Sequence, residues 1–154
     1  MPNVGDKVRD FRLIDAHGQY HQLSDYKGKR VIIYFYPKDD TPGCTTQACA
    51  FRDAYDDFKA LDAVVIGISK DDEKSHQKFI QKYDLPFILL SDPDAEVATY
   101  FNAYGEKKMY GKTYMGIFRK TYLLDQSHAI IHIFESASPS TNAQEIIDIL
   151  NNLK

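Results

Sequence analysis

An α/β fold with a mixed central sheet flanked by helices is predicted by three observations. Two short apolar runs, Val31 to Tyr36 and Ala63 to Ser69, are rich in β-branched and aromatic residues, the composition of strands buried on both faces. The residues between them, Thr45 to Leu61, carry a helical period, so the three segments form a βαβ unit. Strand-like and helix-like segments keep alternating towards the C-terminus, and no internal repeat, low-complexity tract or Gly/Ser-rich linker interrupts them. A single domain over residues 1–154 is the expectation.

Taken in order, Phe11 to Ile14 and Tyr20 to Leu23 are the weaker strands, a small leading hairpin around Gly18. The strand Val31 to Tyr36 stops at Pro37, which cannot donate to a sheet ladder. After the first helix and the strand Ala63 to Ser69, Glu73 to Tyr83 reads as a second helix. Phe87 to Leu90 follows as a short strand, and Ala95 to Ala103 as a third helix. Gly105 and Gly111 bracket Lys107, Lys108, Met109 and Tyr110, a segment best read as a basic loop, with a flap near the active site as the alternative. Thr121 to Leu124 and Ala129 to Phe134 form a closing hairpin. Ser140 to Leu153, opened by Ser-Thr-Asn and apolar at Ile146, Ile147 and Leu150, is a terminal helix. This alternation, closed by a hairpin and a helix, fits a thioredoxin-like fold.

The bulk properties narrow the function. With 44% hydrophobic residues over 154, a substantial core is available. The formal net charge of −3, without a lysine- or arginine-dense block, gives no footprint for nucleic acid or an anionic membrane. The longest apolar runs are far shorter than a membrane span, and the first residues lack a basic leader followed by an apolar stretch, so a cytoplasmic protein is expected. Two cysteines in that compartment point to reactivity or metal binding rather than a permanent staple, and two are too few to hold a tetrahedral zinc alone. The five histidines, at 17, 21, 76, 128 and 132, have no metal-site spacing with the cysteines and read as structural or surface groups. The acidic clusters Asp71-Asp72-Glu73 and Asp92-Pro93-Asp94 sit at predicted helix starts, where negative charge favours the helix dipole. There is no phosphate-binding glycine motif.

The segment Lys38-Asp39-Asp40-Thr41-Pro42-Gly43-Cys44 is a turn leading from the first buried strand into a helix, so Cys44 lies in the first helical turn. Unpaired backbone N–H groups and the positive end of the dipole favour an anion there, hence the nucleophilic thiolate. On a helical wheel Ala48, Phe51, Tyr55 and Phe58 fall within roughly 40° of Cys44, which puts the sulfur on the core-facing stripe. Cys49 falls about 140° away, beside Arg52, Asp53 and Asp56 on the polar face. Residues five apart in an ideal helix have Cα atoms roughly 8–9 Å apart, beyond the ~7 Å reach of a disulfide. A Cys44–Cys49 bond therefore requires the first turns of the helix to unwind. Thr41 either caps the helix or offers its hydroxyl to the site.

Pro37, Thr41 and Cys44 in the order Pro-x-x-x-Thr-x-x-Cys resemble the active-site motif of peroxiredoxins. Gln47-Ala48-Cys49 and Phe51-Arg52-Asp53 resemble the bacterioferritin comigratory protein, or peroxiredoxin Q, branch. So do Gly67-Ile68-Ser69, Leu89-Leu90-Ser91-Asp92, Tyr104-Gly105-Glu106-Lys107 and Gly111 to Arg119. The resemblance implies a thiol-dependent peroxidase that reduces hydrogen peroxide and organic hydroperoxides. Cys44 would be its peroxidatic cysteine, Thr41 the residue whose hydroxyl holds the peroxide, and Pro37 the shield over the sulfenate. Arg119 would be the cation beside the thiolate and the breaking O–O bond, although an arginine flanking a strand otherwise reads as a surface charge. Cys49 would be the resolving cysteine, giving an intramolecular disulfide reduced by thioredoxin, or alternatively glutaredoxin. A monomer is implied, and no flavin, haem or metal, because two sulfurs carry the redox chemistry. Two positions depart from the common pattern: Gln47 stands where many members have Glu, and the turn Asp125-Gln126-Ser127-His128 lacks a glycine often found there.

Two other functions compete. A disulfide oxidoreductase on the same fold needs Cys-x-x-Cys in the first helical turn, and here four residues separate the cysteines. A non-catalytic partner-binding domain would leave both cysteines incidental.

Overall fold

The computed structural model describes residues 2–153; Met1 and Lys154, the ends of the expected domain, lie outside the described residues. Its strands are β1 (Arg12–Asp15), β2 (Tyr20–Gln22), β3 (Arg30–Phe35), β4 (Ala63–Ser69), β5 (Ile88–Ser91), β6 (Tyr104–Met109), β7 (Lys112–Ile117), β8 (Thr121–Leu124) and β9 (Ile130–Phe134). Its α-helices are α1 (Pro42–Asp53), α2 (Tyr55–Ala60), α3 (Glu73–Tyr83), α4 (Glu96–Tyr100) and α5 (Asn142–Asn152).

Seven strands form one mixed sheet in the order β2-β1-β5-β4-β3-β8-β9, and helices cover both faces, the thioredoxin-like arrangement. β3 pairs parallel with β4 and antiparallel with β8, so its C-terminal end opens beside both β4 and the start of β8. Every side chain of β3 after Arg30 is buried, which is why the sequence shows a continuous run rather than an alternation. Alternate residues serve two cores. Ile32, Tyr34 and Tyr36 join Cys44, Phe51, Phe58, Phe79 and Ile146 under α1, α2, α3 and α5, whereas Val31, Ile33 and Phe35 join Ile66, Phe101 and Tyr122 under α4. Full burial of a large apolar side chain contributes roughly 1.5–3 kcal/mol, so the aromatic stack of Phe51 on Tyr34, 4.7 Å between ring centroids, is a principal anchor of α1.

The structure departs from the sequence expectations at four places. The long first helix breaks at Ala54 (φ −94°, ψ 4°), which separates α1 from α2 while Phe51 and Phe58 stay in contact at 5.8 Å. That helix also starts earlier than Thr45, at Pro42, whose missing N–H costs nothing in the first turn. The helix expected over Ala95 to Ala103 is only Glu96–Tyr100: Asn102 (φ 61°) ends it, and the N–H of Ala103 folds back 2.7 Å to the Ala98 carbonyl. The segment read as a basic loop is instead a two-stranded hairpin, β6–β7, closed by two left-handed residues, Tyr110 (φ 52°) and Gly111 (φ 76°), the geometry of a type I′ turn.

The glycine-free turn after β8 is built on Asp125. Its Oδ1 accepts from the N–H groups of Ser127 and Ala129, and His128 takes the left-handed conformation (φ 66°) with its ring Nε2 on the Tyr26 carbonyl. No helix among the described residues is long and apolar enough to cross a membrane.

Candidate active site

β3 delivers the chain to Pro37, which is half-buried, and Asp40 (φ 56°) then turns it into the extended Thr41 at the N-cap of α1. The helix ladder begins with the N–H of Thr45 on the Thr41 carbonyl at 2.8 Å, leaving the amides of Gly43 and Cys44 ahead of it. The Thr41 side chain makes no capping bond; its hydroxyl donates to the Lys38 carbonyl at 2.9 Å. Its lone pairs are thus unclaimed by the helix.

Cys44 is 1% exposed and stands on the core stripe with Ala48 and Phe51, as the wheel predicts. Arg119 Nη2 lies 3.4 Å from its sulfur, and Nη1 donates to Gln47 Oε1 at 2.8 Å. This cation comes from the residue pair preceding β8. The Lys120 carbonyl accepts from the Phe35 amide, and the Arg119 carbonyl accepts from the Ala137 amide. A guanidinium is a fixed fork, so one group can hold a helix residue with one arm and face the sulfur with the other. It opposes negative charge developing at Cys44 in a part-buried setting, where such a contact is worth more than at the surface.

Behind the arginine runs a buried amide chain that the sequence reading did not assemble. Gln47 Nε2 donates to Asn142 Oδ1 at 3.2 Å, and the Thr121 hydroxyl donates to the same oxygen at 2.9 Å. Because Arg119 can only donate, it fixes the Gln47 amide, which in turn fixes Asn142 and leaves its Nδ2 buried without a partner among the described residues. Asn142 belongs to the Ser-Thr-Asn segment that reads as a helix opening. The structure puts the N-cap at Thr141 and Asn142 fully buried against the site. The only sequence hint was Gln47 itself, as a departure from a family pattern.

Two further cations and one phenol complete the surroundings. Burial, reinforced by the charge of Arg119 and opposed by Cys44, pushes the Lys107 ammonium below its ordinary value; its Nζ donates to the Ile117 carbonyl at 2.8 Å. Arg52, one turn past Cys49, reaches the Tyr83 carbonyl at 2.8 Å. Tyr34, its hydroxyl buried and without a partner among the described residues, is pushed well above the usual tyrosine value, chiefly by burial and then by Asp39 and Cys44. Both cysteines are free thiols; Cys49 is half-buried on the opposite side of an intact α1.

A sequence profile of the AhpC/TSA family matches residues 4–133. The chain is 44% identical over 150 residues to the peroxiredoxin Bcp of Bacillus subtilis, covering 97% of this chain and 96% of that one. It is 42% identical over 147 residues to the peroxiredoxin Bcp of Escherichia coli, covering 96% and 94%. Among solved structures, a cysteine-to-serine mutant of Xylella fastidiosa PrxQ superposes with a TM-score of 0.94 at 32% identity, covering 99% and 98% of the two chains. The bacterioferritin comigratory protein of Xanthomonas campestris, studied for alkyl peroxide reduction, superposes with a TM-score of 0.88 at 33% identity, covering 93% and 91%.

Proposed function

The chain belongs to the AhpC/TSA family, in its Bcp/peroxiredoxin Q branch, and from that membership we propose that it is a thioredoxin-dependent hydroperoxide reductase working through Cys44 and Cys49. The observation that carries the reading is the Arg119 guanidinium 3.4 Å from the Cys44 sulfur at the start of α1.

In the first step the Cys44 thiolate attacks the terminal oxygen of the hydroperoxide. An S–O bond forms, the O–O bond breaks, and the leaving oxygen takes up a proton to depart as alcohol or water. The sulfur is oxidised by two electrons to sulfenic acid. Arg119 stabilises the charge as it moves from sulfur to the leaving oxygen. Thr41, its own hydrogen committed to the Lys38 carbonyl, has an oxygen free to accept from the peroxide O–H. Pro37, at the mouth of the turn, screens the sulfenate.

In the second step the Cys49 thiol attacks the Cys44 sulfur. An S–S bond forms, the S–O bond breaks, and water leaves. The two residues share one helix, so α1 opens from its first turn before they meet. The dithiol of thioredoxin, with glutaredoxin as the alternative, then reduces the disulfide and returns a hydrogen to each sulfur. The four-residue gap between the cysteines disfavours a general disulfide oxidoreductase.

One equivalent of hydrogen peroxide added to the reduced protein, followed by peptide mass spectrometry within seconds, tests the scheme. Loss of two hydrogens is expected in wild type, a trapped Cys44 sulfenic acid in Cys49→Ser, and no rapid reaction in Cys44→Ser. A Cys44 that stays a thiol in wild type would overturn the peroxidase reading.

A further inference from the structure

The turn that presents Cys44 carries two consecutive carboxylates that the chemistry above does not use, and both are tied to α3. Asp39 is the inner one. Its side chain is 3% exposed and that of His76 is 0% exposed, with Nδ1 of the imidazole 2.7 Å from Asp39 Oδ2. The same oxygen accepts from the Ser75 hydroxyl at 2.8 Å, and Oδ1 accepts from the Tyr36 hydroxyl at 2.6 Å. The other ring nitrogen of His76 faces the Leu90 carbonyl at 3.1 Å. A carbonyl only accepts, so Nε2 is the ring nitrogen that donates to Leu90, and Nδ1 is the one that faces the Asp39 carboxyl. The Asp39 amide donates to Asp71 Oδ2, which also accepts from the Ser69 hydroxyl. One residue of the turn is thereby bound to the end of β3, to the first turn of α3, to β5 and to the end of β4.

Asp40 is the outer one. It adopts the left-handed conformation, and its carboxylate takes Lys82 Nζ and the Tyr83 hydroxyl, both at 2.8 Å, at the far end of α3. The two anchors lie about seven residues apart along that helix, roughly 10 Å at its rise per residue. The two residues before Thr41 are therefore both tied to α3. The residues from Cys44 to Cys49 hold to the body by their helix ladder, by the apolar contacts of Cys44 and Ala48, and by Gln47 and Arg119.

We infer that Asp39 and His76 are a positioning pair for the peroxidase reaction: they fix the N-terminal flank of the Cys44 turn and so set the balance between the folded α1 that reacts with peroxide and the opened α1 that forms the disulfide. This rests on the local unwinding of α1 described under the proposed function. Peroxide attack needs Cys44 beside Arg119; resolution needs it released. A change that frees the flank acts on the two steps with opposite signs, whereas a general loss of stability or of active protein depresses both.

The test is stopped-flow measurement of both half-reactions in the full-length protein: thiol oxidation by hydrogen peroxide, then disulfide formation from the sulfenic acid. Asp39→Ala is expected to slow the first about five- to tenfold and speed the second by a similar factor, the scale of one net buried hydrogen bond. Asp39→Asn keeps the shape: its amide nitrogen donates to His76 Nδ1 and to Ser75 Oγ while its oxygen still accepts from Tyr36, and both rates are expected within about twofold of wild type. If Asp39→Ala does not fold, Tyr36→Phe, which removes one donor and keeps the ring, is expected to move the two rates apart in the same directions. Hydrogen exchange at the amides of residues 45–49 is expected to quicken with the second step. Two rates that fall together, or that do not move, in a folded variant overturn the inference. A wild-type protein that forms sulfenic acid but never the Cys44–Cys49 disulfide overturns the unwinding scheme itself, and the inference with it.

Discussion

Gly43 and Arg119 are fitted to each other: a Cβ on residue 43 would stand 3.0 Å from Nη2 of the arginine and 3.7 Å from Pro139 Cγ. The glycine is needed for clearance and not for an unusual backbone, since it sits inside the first turn of α1. Gly43→Ala should therefore leave the melting temperature unchanged or slightly raised, because alanine is the better helix former by about 1 kcal/mol. The second-order rate with hydrogen peroxide should fall about tenfold as the guanidinium shifts off the sulfur. Thermal unfolding and stopped-flow oxidation of the same preparation check it, and a rate equal to wild type would show that the guanidinium does not need this position.

Replacement of Arg119 by lysine separates charge from geometry. A single ammonium cannot face Cys44 Sγ and donate to Gln47 Oε1 in the same forked manner. We expect Arg119→Lys to retain part of the activity and Arg119→Met to lose roughly 10²–10³-fold in kcat/KM, the usual scale for removing one preorganised electrostatic partner. Peroxide titration of both variants against wild type distinguishes the two effects.

Asn142 supports the same arginine from behind. Asn142→Ala leaves the Gln47 amide and the Thr121 hydroxyl without their shared acceptor, a buried loss of about 1–3 kcal/mol. Urea denaturation should show that decrease with an unchanged m-value. The peroxide rate should fall by less than about tenfold, because the direct contact of Arg119 with the sulfur remains.

The outer anchor of the turn should respond to acid and to salt. The hydrogen bond from Lys82, followed by that from Tyr83, holds the Asp40 carboxyl below its ordinary value of 3.8. A depressed carboxyl contributes stability that is present above pH 3.8 and is lost as pH falls through the lower folded value. For Lys82, raised above 10.5 mainly by Asp40, the contribution is present below that value and disappears as pH climbs through the raised one. Between about pH 5 and 9 this pair should add no slope to stability, and Asp40→Asn should flatten both the acid limb below about pH 4 and the alkaline limb above about pH 10. Both residues are exposed, so high salt should erase much of the difference. Urea midpoints against pH at low and high ionic strength provide the measurement.

These expectations draw unequally on the sequence. β3 and β4 were legible because strands covered on both faces leave an unbroken apolar run, and the core-facing stripe through Cys44 was legible because a helix repeats on a fixed period. The hairpin β6–β7 was not, since nearly all of its side chains are half-buried or exposed and lysine-rich, and its one strong mark is the Tyr110-Gly111 turn. The partners behind the site were hidden for another reason. Gln47 and Asn142 are 95 residues apart, and Asp39 and His76 are 37 apart, so no local periodicity records their meeting. Arg119 stood out only through a family resemblance, because an arginine before a strand is ordinarily a solvated charge.

The break at Ala54 has a bearing on how far α1 can come apart. Because nucleation is costly and propagation is not, a helix frays residue by residue from its end along an uninterrupted ladder. A fraying front that sets out from Cys44 meets, within a dozen residues, a junction where the backbone has already left helical geometry. Phe58, fully buried beyond that junction, stays seated and keeps α2 as a terminus for the front. In the unwinding proposed for disulfide formation, the interruption would act as a firebreak, confining the excursion to the stretch that carries the two sulfurs and sparing the sheet beneath it.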